Sequence, residues 1–228
     1  MSWPPTLWPR LCRSPRASRP CANPMHPNPI FRQSPQERNI AFVRDRSFGI
    51  LAVCGSDGPL LSHIPFLLND AGTRTELHLV RSNPITRGLD GPVPARIAVS
   101  GPDSYVSPDW YGIDDQVPTW NYVAVHLVGQ LRPAPEVDFH DLLDRQSALF
   151  EERLAPKRPW TSAKMTDGVM KKMMRAIVPC VFEIDRIDGT WKLNQNKPEA
   201  ARRGAADHVG DAGLGMETAA LSDLMRDP

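Results

Sequence analysis

Residues 47–68 read SFGILAVCGSDGPLLSHIPFLL, two apolar runs separated by Ser56, Asp57 and Gly58. An Asp-Gly pair between two strand-like segments is a strong hairpin signal, because both residues tolerate the positive φ of tight turns. The stretch therefore predicts an antiparallel β-hairpin. Pro65 inside the second run indicates an edge or a bulge, because proline cannot donate a hydrogen bond to a neighbouring strand.

Apolar, strand-like runs separated by turn residues continue along the chain. Further strands are predicted at 75–82, 94–101 and 120–132, and a hairpin at 180–196 with its turn at Asp188-Gly189. Helices are predicted at 34–46, with Ser34 as N-cap and Pro35 at N1, and at 135–154 and 167–177. Antiparallel strands dominate and no βαβ alternation is visible. The pattern predicts a mainly β fold with flanking helices (α+β), closed or partly closed into an antiparallel barrel.

Composition narrows the class of protein. The chain has 228 residues, with 27 Lys and Arg against 26 Asp and Glu, a formal net charge of +1. This balance argues against broad nucleic-acid coating. No run of about 20 apolar residues could span a membrane. The four cysteines lack zinc-ligand spacing and indicate a reducing, cytoplasmic compartment.

Three regions are expected. Residues 1–24, rich in proline and arginine and without acidic residues, are expected to be a disordered leader or an over-long start before Met25 as the initiator. Residues 25–204 form the folded domain. Residues 205–228, rich in Ala, Gly and Asp, are expected to be a flexible C-terminal tail.

Familiar catalytic signatures are missing, but polar residues interrupt the predicted strands. Ser62 and His63 lie in the second apolar run. Arg81, Ser82 and Asn83 follow a strand and precede a helix start, a combination that suits a phosphate. The alternative is that Asn83 only caps the helix while Arg81 is solvated.

Two further segments leave alternatives open. Trp120 and Tyr122 flank Asn121 at a strand entry, where aromatic side chains either stack on a planar ring or fill a barrel end or dimer contact. A second group, with donors for a ligand or simply a polar hairpin end, follows a strand: Lys192, Asn194, Gln195 and Asn196.

The segments HIPFLL, HLVRSNP, SPDWY, VPTWNYVAVHLVG and WKLNQNKPEAARRG, in this order and spacing, resemble the PaiB-type FMN-binding family. The similarity covers about residues 25–204. It implies an FMN-binding split β-barrel related to pyridoxamine-phosphate oxidase, dimeric, with the cofactor at the subunit interface, and a role as a negative transcriptional regulator. The residues that the resemblance implies as FMN ligands are Ser62, His63, Ile64, Arg81, Ser82, Asn83, Trp120, Asn121, Tyr122, Lys192, Gln195 and Asn196.

Three functions remain open at this point. The first is an FMN-binding regulator or sensor, the second a flavin-dependent oxidoreductase, and the third a structural dimer with a vestigial pocket. No helix-turn-helix pattern or basic stripe is present, so direct DNA binding is weakly supported. His63, His78 or His126 could serve an enzyme as acid or base, but no catalytic residue and no metal ligand is assigned.

Overall fold

Seven antiparallel strands carry the fold of residues 25–228, the part of the chain that the computed structural model describes. The expectation for residues 1–24 lies outside this part. The strands are β1 (Phe48–Gly55), β2 (Gly58–Leu68), β3 (Arg74–Val80), β4 (Val93–Val106), β5 (Thr119–Pro133), β6 (Ile177–Lys192) and β7 (Gly215–Met216). Their order in the sheet is β1-β2-β3-β6-β5-β4-β7, and an additional β1–β4 pairing closes the first six strands into a barrel. The predicted fold class, an antiparallel barrel with flanking helices, is confirmed.

Six α-helices of residues 25–228 lie against this barrel or extend from it: α1 (Gln36–Arg46), α2 (Pro84–Arg87), α3 (Phe139–Glu151), α4 (Val169–Met174), α5 (Glu199–Ala212) and α6 (Thr218–Arg226). The start of α1 differs from the prediction, because Pro35 occupies the N-cap and no side chain caps the helix there. Asp138 caps α3 by accepting hydrogen bonds from two backbone N–H groups. Within residues 25–228, none of the helices has the length and hydropathy of a membrane-spanning segment.

The hairpin predicted at 180–196 is wrong. Residues 177–192 form the single long strand β6, and Gly189 pairs with Val125 of β5 in its interior. A Cβ at Gly189 would lie 2.1 Å from Oδ1 of Asn39, so only glycine lets α1 approach the strand this closely. The Asp188-Gly189 pair therefore marks a helix contact, although it has the composition of a turn.

Two apolar cores stabilise the described chain. The barrel core fills the inside of the strands with large aliphatic and aromatic side chains such as Leu51, Phe66, Ile97, Leu127 and Phe182, all fully buried. The C-terminal core packs α5 and α6 against the ends of β4, β5 and β6, and its buried members include Val106, Trp191, Ala205, Leu221 and Met225.

The expectation of a flexible tail at 205–228 is corrected by this second core. Val209 of α5 and Leu221 and Met225 of α6 are fully buried. The Arg202 guanidinium donates hydrogen bonds to the carbonyls of Met225 and Arg226, at 2.5 and 2.8 Å, and so joins the two helices. The folded domain therefore continues to the end of α6, beyond the expected boundary at residue 204.

Candidate functional site

Two of the predicted segments meet where β3 ends. The Asn83 side chain caps α2, its Oδ1 accepting from the Ile85 N–H at 2.9 Å. Its Nδ2 donates to the Ser62 hydroxyl of β2 at 3.1 Å. Asn83 therefore caps the helix, as the alternative to phosphate binding expects. The same side chain also joins the segment of Ser62 to the segment of Arg81.

The Ser62–Asn83 contact lies at a corner of the barrel where β2 and β3 are no longer paired, and Pro65 explains this separation. β2 and β3 pair only between Phe66–Leu68 and Thr75–Leu77. One step further, Pro65 has no N–H to continue the ladder, and the two strands separate. Ile64 keeps its side chain in the barrel core and pairs its backbone with Gly49 of β1. The gap leaves Ser62 free to bond with Asn83.

The Arg81 guanidinium lies at this corner without an acidic partner. The Arg81 guanidinium donates to the carbonyls of Arg175, at 3.0 Å, and Ile177, at 3.4 Å. In the described part of the chain, no ion pair includes Arg81, Arg87 or Arg175. Ser82 is exposed beside them. Guanidinium and hydroxyl donors of this kind suit a phosphate dianion.

Sequence reasoning missed two of these cations. The Arg175 backbone reaches the corner through the pairing of β3 with β6, in which Val80 lies opposite Ile177. No local pattern signals that contact. Arg87 lies four residues after the cap residue Asn83, a spacing of one helical turn that could have identified it.

Several of the remaining predicted residues lie on one surface of the barrel, which we call the outer face. It consists of the alternate, outward-pointing residues of β1, β2, β4, β5 and β6, because residues directly opposite each other share a face. The register Ile50 to His63, Ile50 to Ala98 and Ala98 to His126 fixes it across the first four of these strands.

An aromatic group lies at one end of the outer face. Trp120 is half exposed, and its ring lies 6.4 Å from that of Tyr105 in an edge-to-face arrangement. Lys192 Nζ donates to the Thr119 hydroxyl and, at 2.5 Å, to the Trp120 carbonyl, which fixes the entry of β5. Burial lowers the pKa of Lys192. Tyr122 lies directly opposite Lys192 in the β5–β6 ladder.

Other predicted ligands use their polar groups inside the fold. Asn121 is fully buried, and its Nδ2 lies 3.3 Å from the Met225 sulfur in the C-terminal core. Gln195 accepts from the Leu193 N–H at 2.8 Å and donates to the Trp191 carbonyl at 2.5 Å, which closes the turn after β6. Asn196, next in the chain, is exposed.

The predicted residues therefore form two groups. The phosphate group lies on β2 and the β3–α2 junction and comprises Ser62, Arg81, Ser82 and Asn83. His63, the next residue of β2, points to the outer face, where its ring lies 6.4 Å from that of Phe48. The aromatic group lies on β5 and β6 and comprises Trp120, Tyr122 and Lys192. Within residues 25–228, no hydrogen bond or ring contact joins one group to the other.

Comparison with known proteins decides the family. Residues 25–186 match the family model described as "Putative FMN-binding domain". The chain belongs to this FMN-binding family. The resemblance predicted from the sequence is confirmed, and so is FMN as the family's cofactor.

Individual relatives are more distant. The chain is 25% identical over 171 residues to the Bacillus subtilis (strain 168) protein named "Protease synthase and sporulation protein PAI 2", covering 74% of this chain and 81% of that protein. It is 26% identical over 217 residues to an uncharacterized protein of Aspergillus fumigatus, covering 73% and 83%. Among solved structures, a FAD and heme binding protein from Mycobacterium smegmatis superposes with a TM-score of 0.53 at 17% identity, covering 82% of both chains. That likeness shows the fold.

The described residues fit FMN at its phosphate end. A phosphate dianion needs charged and hydroxyl donors, and Arg81 and Ser82 offer both. The exposed rings of His63 on β2 and Phe48 on β1 lie with their centroids 6.4 Å apart. A planar apolar ring suits such an exposed surface.

Proposed function

We propose that this chain is an FMN-binding homodimer that acts as a flavin-dependent regulator or sensor. The observation that carries the proposal is the corner at Arg81, where guanidinium charge without an acidic partner meets Ser82 and the Ser62–Asn83 contact. The FMN phosphate binds at this corner, and the flavin ring lies along Ser62, His63 and Ile64 of β2.

A titration with two flavins tests this site. Riboflavin lacks the phosphate, so wild-type protein should bind FMN more tightly than riboflavin. Arg81→Ala should weaken FMN binding by roughly 10- to 100-fold, the effect of one hydrogen bond to a charged group, and leave riboflavin binding unchanged. Arg203→Ala is the matched control, because this exposed arginine pairs with Glu199 on α5. Equal affinity of the wild-type protein for both flavins would contradict the phosphate assignment.

The regulatory role draws on the name of the Bacillus subtilis relative, which refers to protease synthesis and sporulation. A formal charge of +1 does not favour direct duplex recognition. We therefore propose action through a partner protein, in the cytoplasm. A nanomolar, sequence-dependent gel shift of the isolated protein at physiological salt would overturn this route and establish direct DNA binding.

A flavin-dependent oxidoreductase is the second candidate. It is favoured by His63, an exposed imidazole beside the proposed ring position. Anaerobic reduction of the bound flavin by NADH or NADPH, followed spectroscopically, separates the two functions. Rapid reduction that slows in His63→Gln, with FMN affinity retained, would favour the enzyme. Reduction that is slow with both nucleotides and unaffected by the substitution favours the sensor.

A further inference from the structure

A groove of about 500 Å³ lies on the outer face, and its lining includes no residue of the proposed FMN site. Its floor crosses three neighbouring strands: Ala52 of β1 lies opposite Arg96 of β4, which lies opposite Val128 of β5. Residues directly opposite each other share a face, so these three side chains point to the same side of the sheet. Ala52 and Val128 make the floor apolar. A cavity of this volume, with an apolar floor and few polar groups, has the character of a small-molecule site.

A β-bulge in β6 forms one wall of the groove. Val128 lies opposite Arg186, whereas the next residue of β5, Gly129, lies opposite a residue two positions earlier in β6, so Asp185 is the extra residue. A bulge re-aims side chains, and both Asp185 and Arg186 line the groove. A Cβ at Gly129 would lie 1.9 Å from the Glu183 carbonyl oxygen, so only glycine lets β5 approach β6 this closely. The wall is therefore fixed by the backbone.

The groove carries an unpaired charge of each sign. Arg96 on β4 and Asp185 on β6 both line it and are exposed. Within residues 25–228, neither side chain has an ion-pair partner. Arg186, in contrast, is oriented by the Asp188 carboxylate at 3.0 Å. Strand β5 separates the two unpaired residues, which places their backbones about 10 Å apart, two strand spacings. Opposite charges on facing walls suit a ligand that itself carries both charges.

We propose that this groove binds a zwitterion with an apolar side chain, which has the chemistry of an α-amino acid such as leucine. The Arg96 guanidinium binds the carboxylate of the ligand, because its planar donors match the two carboxylate oxygens. The Asp185 carboxylate accepts hydrogen bonds from the ammonium group. The apolar side chain of the ligand lies on Ala52 and Val128.

Two sources supply this chemistry. In a free amino acid the ammonium and carboxylate groups are attached to one carbon atom, whereas in a dipeptide a further ~3.8 Å of chain separates them. Both ligands offer the groove one charge of each sign and an apolar side chain. The groove uses none of the proposed FMN ligands, so the proposal does not depend on flavin binding. It gives the proposed sensor a second ligand.

Calorimetric titration of the full chain tests the two charges separately. L-leucine and leucyl-leucine represent the two sources. The N-acetylated form of each lacks the ammonium group, and the amidated form lacks the carboxylate. Wild-type protein should bind at least one zwitterion about 10-fold more tightly than either of its modified forms, the effect of one hydrogen bond to a charged group. The zwitterion that binds more tightly identifies the source.

Two variants assign each charge to its residue. Arg96→Gln should bind the zwitterion about 10-fold more weakly and the amidated form as wild type does, because that form lacks the carboxylate. Asp185→Asn should weaken the zwitterion equally and leave the N-acetylated form unaffected. Arg203→Gln is the control, because this exposed arginine pairs with Glu199 on α5, and it should bind as wild type does.

Three results would overturn the proposal. The first is that wild-type protein binds neither zwitterion at millimolar concentration. The second is equal affinity for the zwitterion and both modified forms. The third is wild-type affinity of Arg96→Gln or Asp185→Asn for the zwitterion. Both positions are exposed, so the free energy of unfolding of these variants should stay within about 0.5 kcal/mol of wild type.

The Cys54 thiol gives a second readout at the groove itself. It is exposed and lines the groove, whereas Cys180 is buried, which raises the pKa of that thiol to about 12. With Cys12 and Cys21 replaced by serine, a saturating zwitterion should slow alkylation of Cys54 by iodoacetamide several-fold, because the bound ligand covers the thiol. The same concentration should protect Arg96→Gln less. Unchanged alkylation at a concentration that saturates the calorimetric signal would place the ligand elsewhere and contradict the proposal.

Discussion

The barrel core and the C-terminal core are both buried from solvent, but they are formed by different kinds of residue. The barrel core is formed by alternate residues of long strands, mostly Leu, Ile, Val and Phe. The C-terminal core depends on small residues of α5, since Ala201, Ala205 and Ala206 allow close approach of α6. Alternation of apolar and polar residues in a strand predicts its buried face from the sequence alone. An alanine-rich helix, in contrast, has the composition of an unstructured tail until the helix that packs against it is known.

The two cores are connected at α1 by contacts of Asn39 and Phe42 with Trp191, which we call the seam. Phe42 packs against both, and its ring lies 5.6 Å from that of Trp191. The Trp191 indole N–H donates to the side-chain oxygen Oδ1 of Asn39 at 2.8 Å. The cores are therefore physically connected, and substitutions can show how far their stabilities are coupled.

The largest effect is expected in the barrel. Leu127→Ala removes a fully buried side chain from the middle of β5 and leaves a cavity. The free energy of unfolding should fall by about 2–5 kcal/mol, measured by urea denaturation. Leu61→Ala, at an exposed position on β2, should change it by less than about 0.5 kcal/mol. Equal losses in the two variants would show that Leu127 is not a core residue.

The seam should give the next largest effect. In Gly189→Ala the new methyl group collides with the Asn39 amide, which must move away from Trp191. We expect destabilisation of about 1–3 kcal/mol, together with altered Trp191 fluorescence. Gly91→Ala has no atom within 4 Å of its new Cβ and serves as the control. A Gly189→Ala protein with wild-type stability would show that α1 does not hold the two cores together.

The C-terminal core should respond locally. Leu221→Ala opens a cavity between α5 and α6. The free energy of local opening of these helices should fall by about 2 kcal/mol, and their backbone amides should therefore exchange hydrogen faster. Barrel amides in β5 should keep their protection. Equal acceleration in β5 would mean that the two cores unfold as one unit.

The smallest effect concerns acid. Burial alone would raise the pKa of Glu76 on β3, but hydrogen bonds from Arg145 and Arg74 outweigh it and hold this pKa below its usual value. The Arg46 hydrogen bond likewise lowers the pKa of Glu217, before α6. A lowered folded-state pKa stabilises the protein above the carboxyl's ordinary pKa, and this stabilisation is lost as pH falls through the folded-state value.

Acid unfolding of Glu76→Gln and Glu217→Gln compares the two regions. Both variants should lose part of the stability difference between neutral pH and pH about 3. The loss should be greater for Glu76, because its side chain is 14% exposed and that of Glu217 45% exposed, where solvent screens the pair. The reverse order would contradict this assignment of the stronger ion pair to the barrel.

Prediction from sequence succeeded where the signal was local. The alternating residues of 120–132 defined β5, and Asp57-Gly58 placed the β1–β2 turn. Asp188-Gly189 misled, because the reason for that glycine is Asn39, a residue 150 positions away on α1. The same distinction holds at the site. Arg81 and Asn83 stand out beside a strand end, whereas Arg175 joins them only through the β3–β6 register.

Strand β7 has a consequence for solubility. It occupies the outer backbone edge of β4 at Asp103 and Ser104, on the side away from β5. Without it, the unpaired N–H and C=O groups there would offer a template for a strand from another molecule. Shortening the chain before Gly213, which also removes α6 from the C-terminal core, would therefore leave this edge of β4 unpaired. Aggregates rich in intermolecular β-structure would then accumulate even where the barrel itself stays folded.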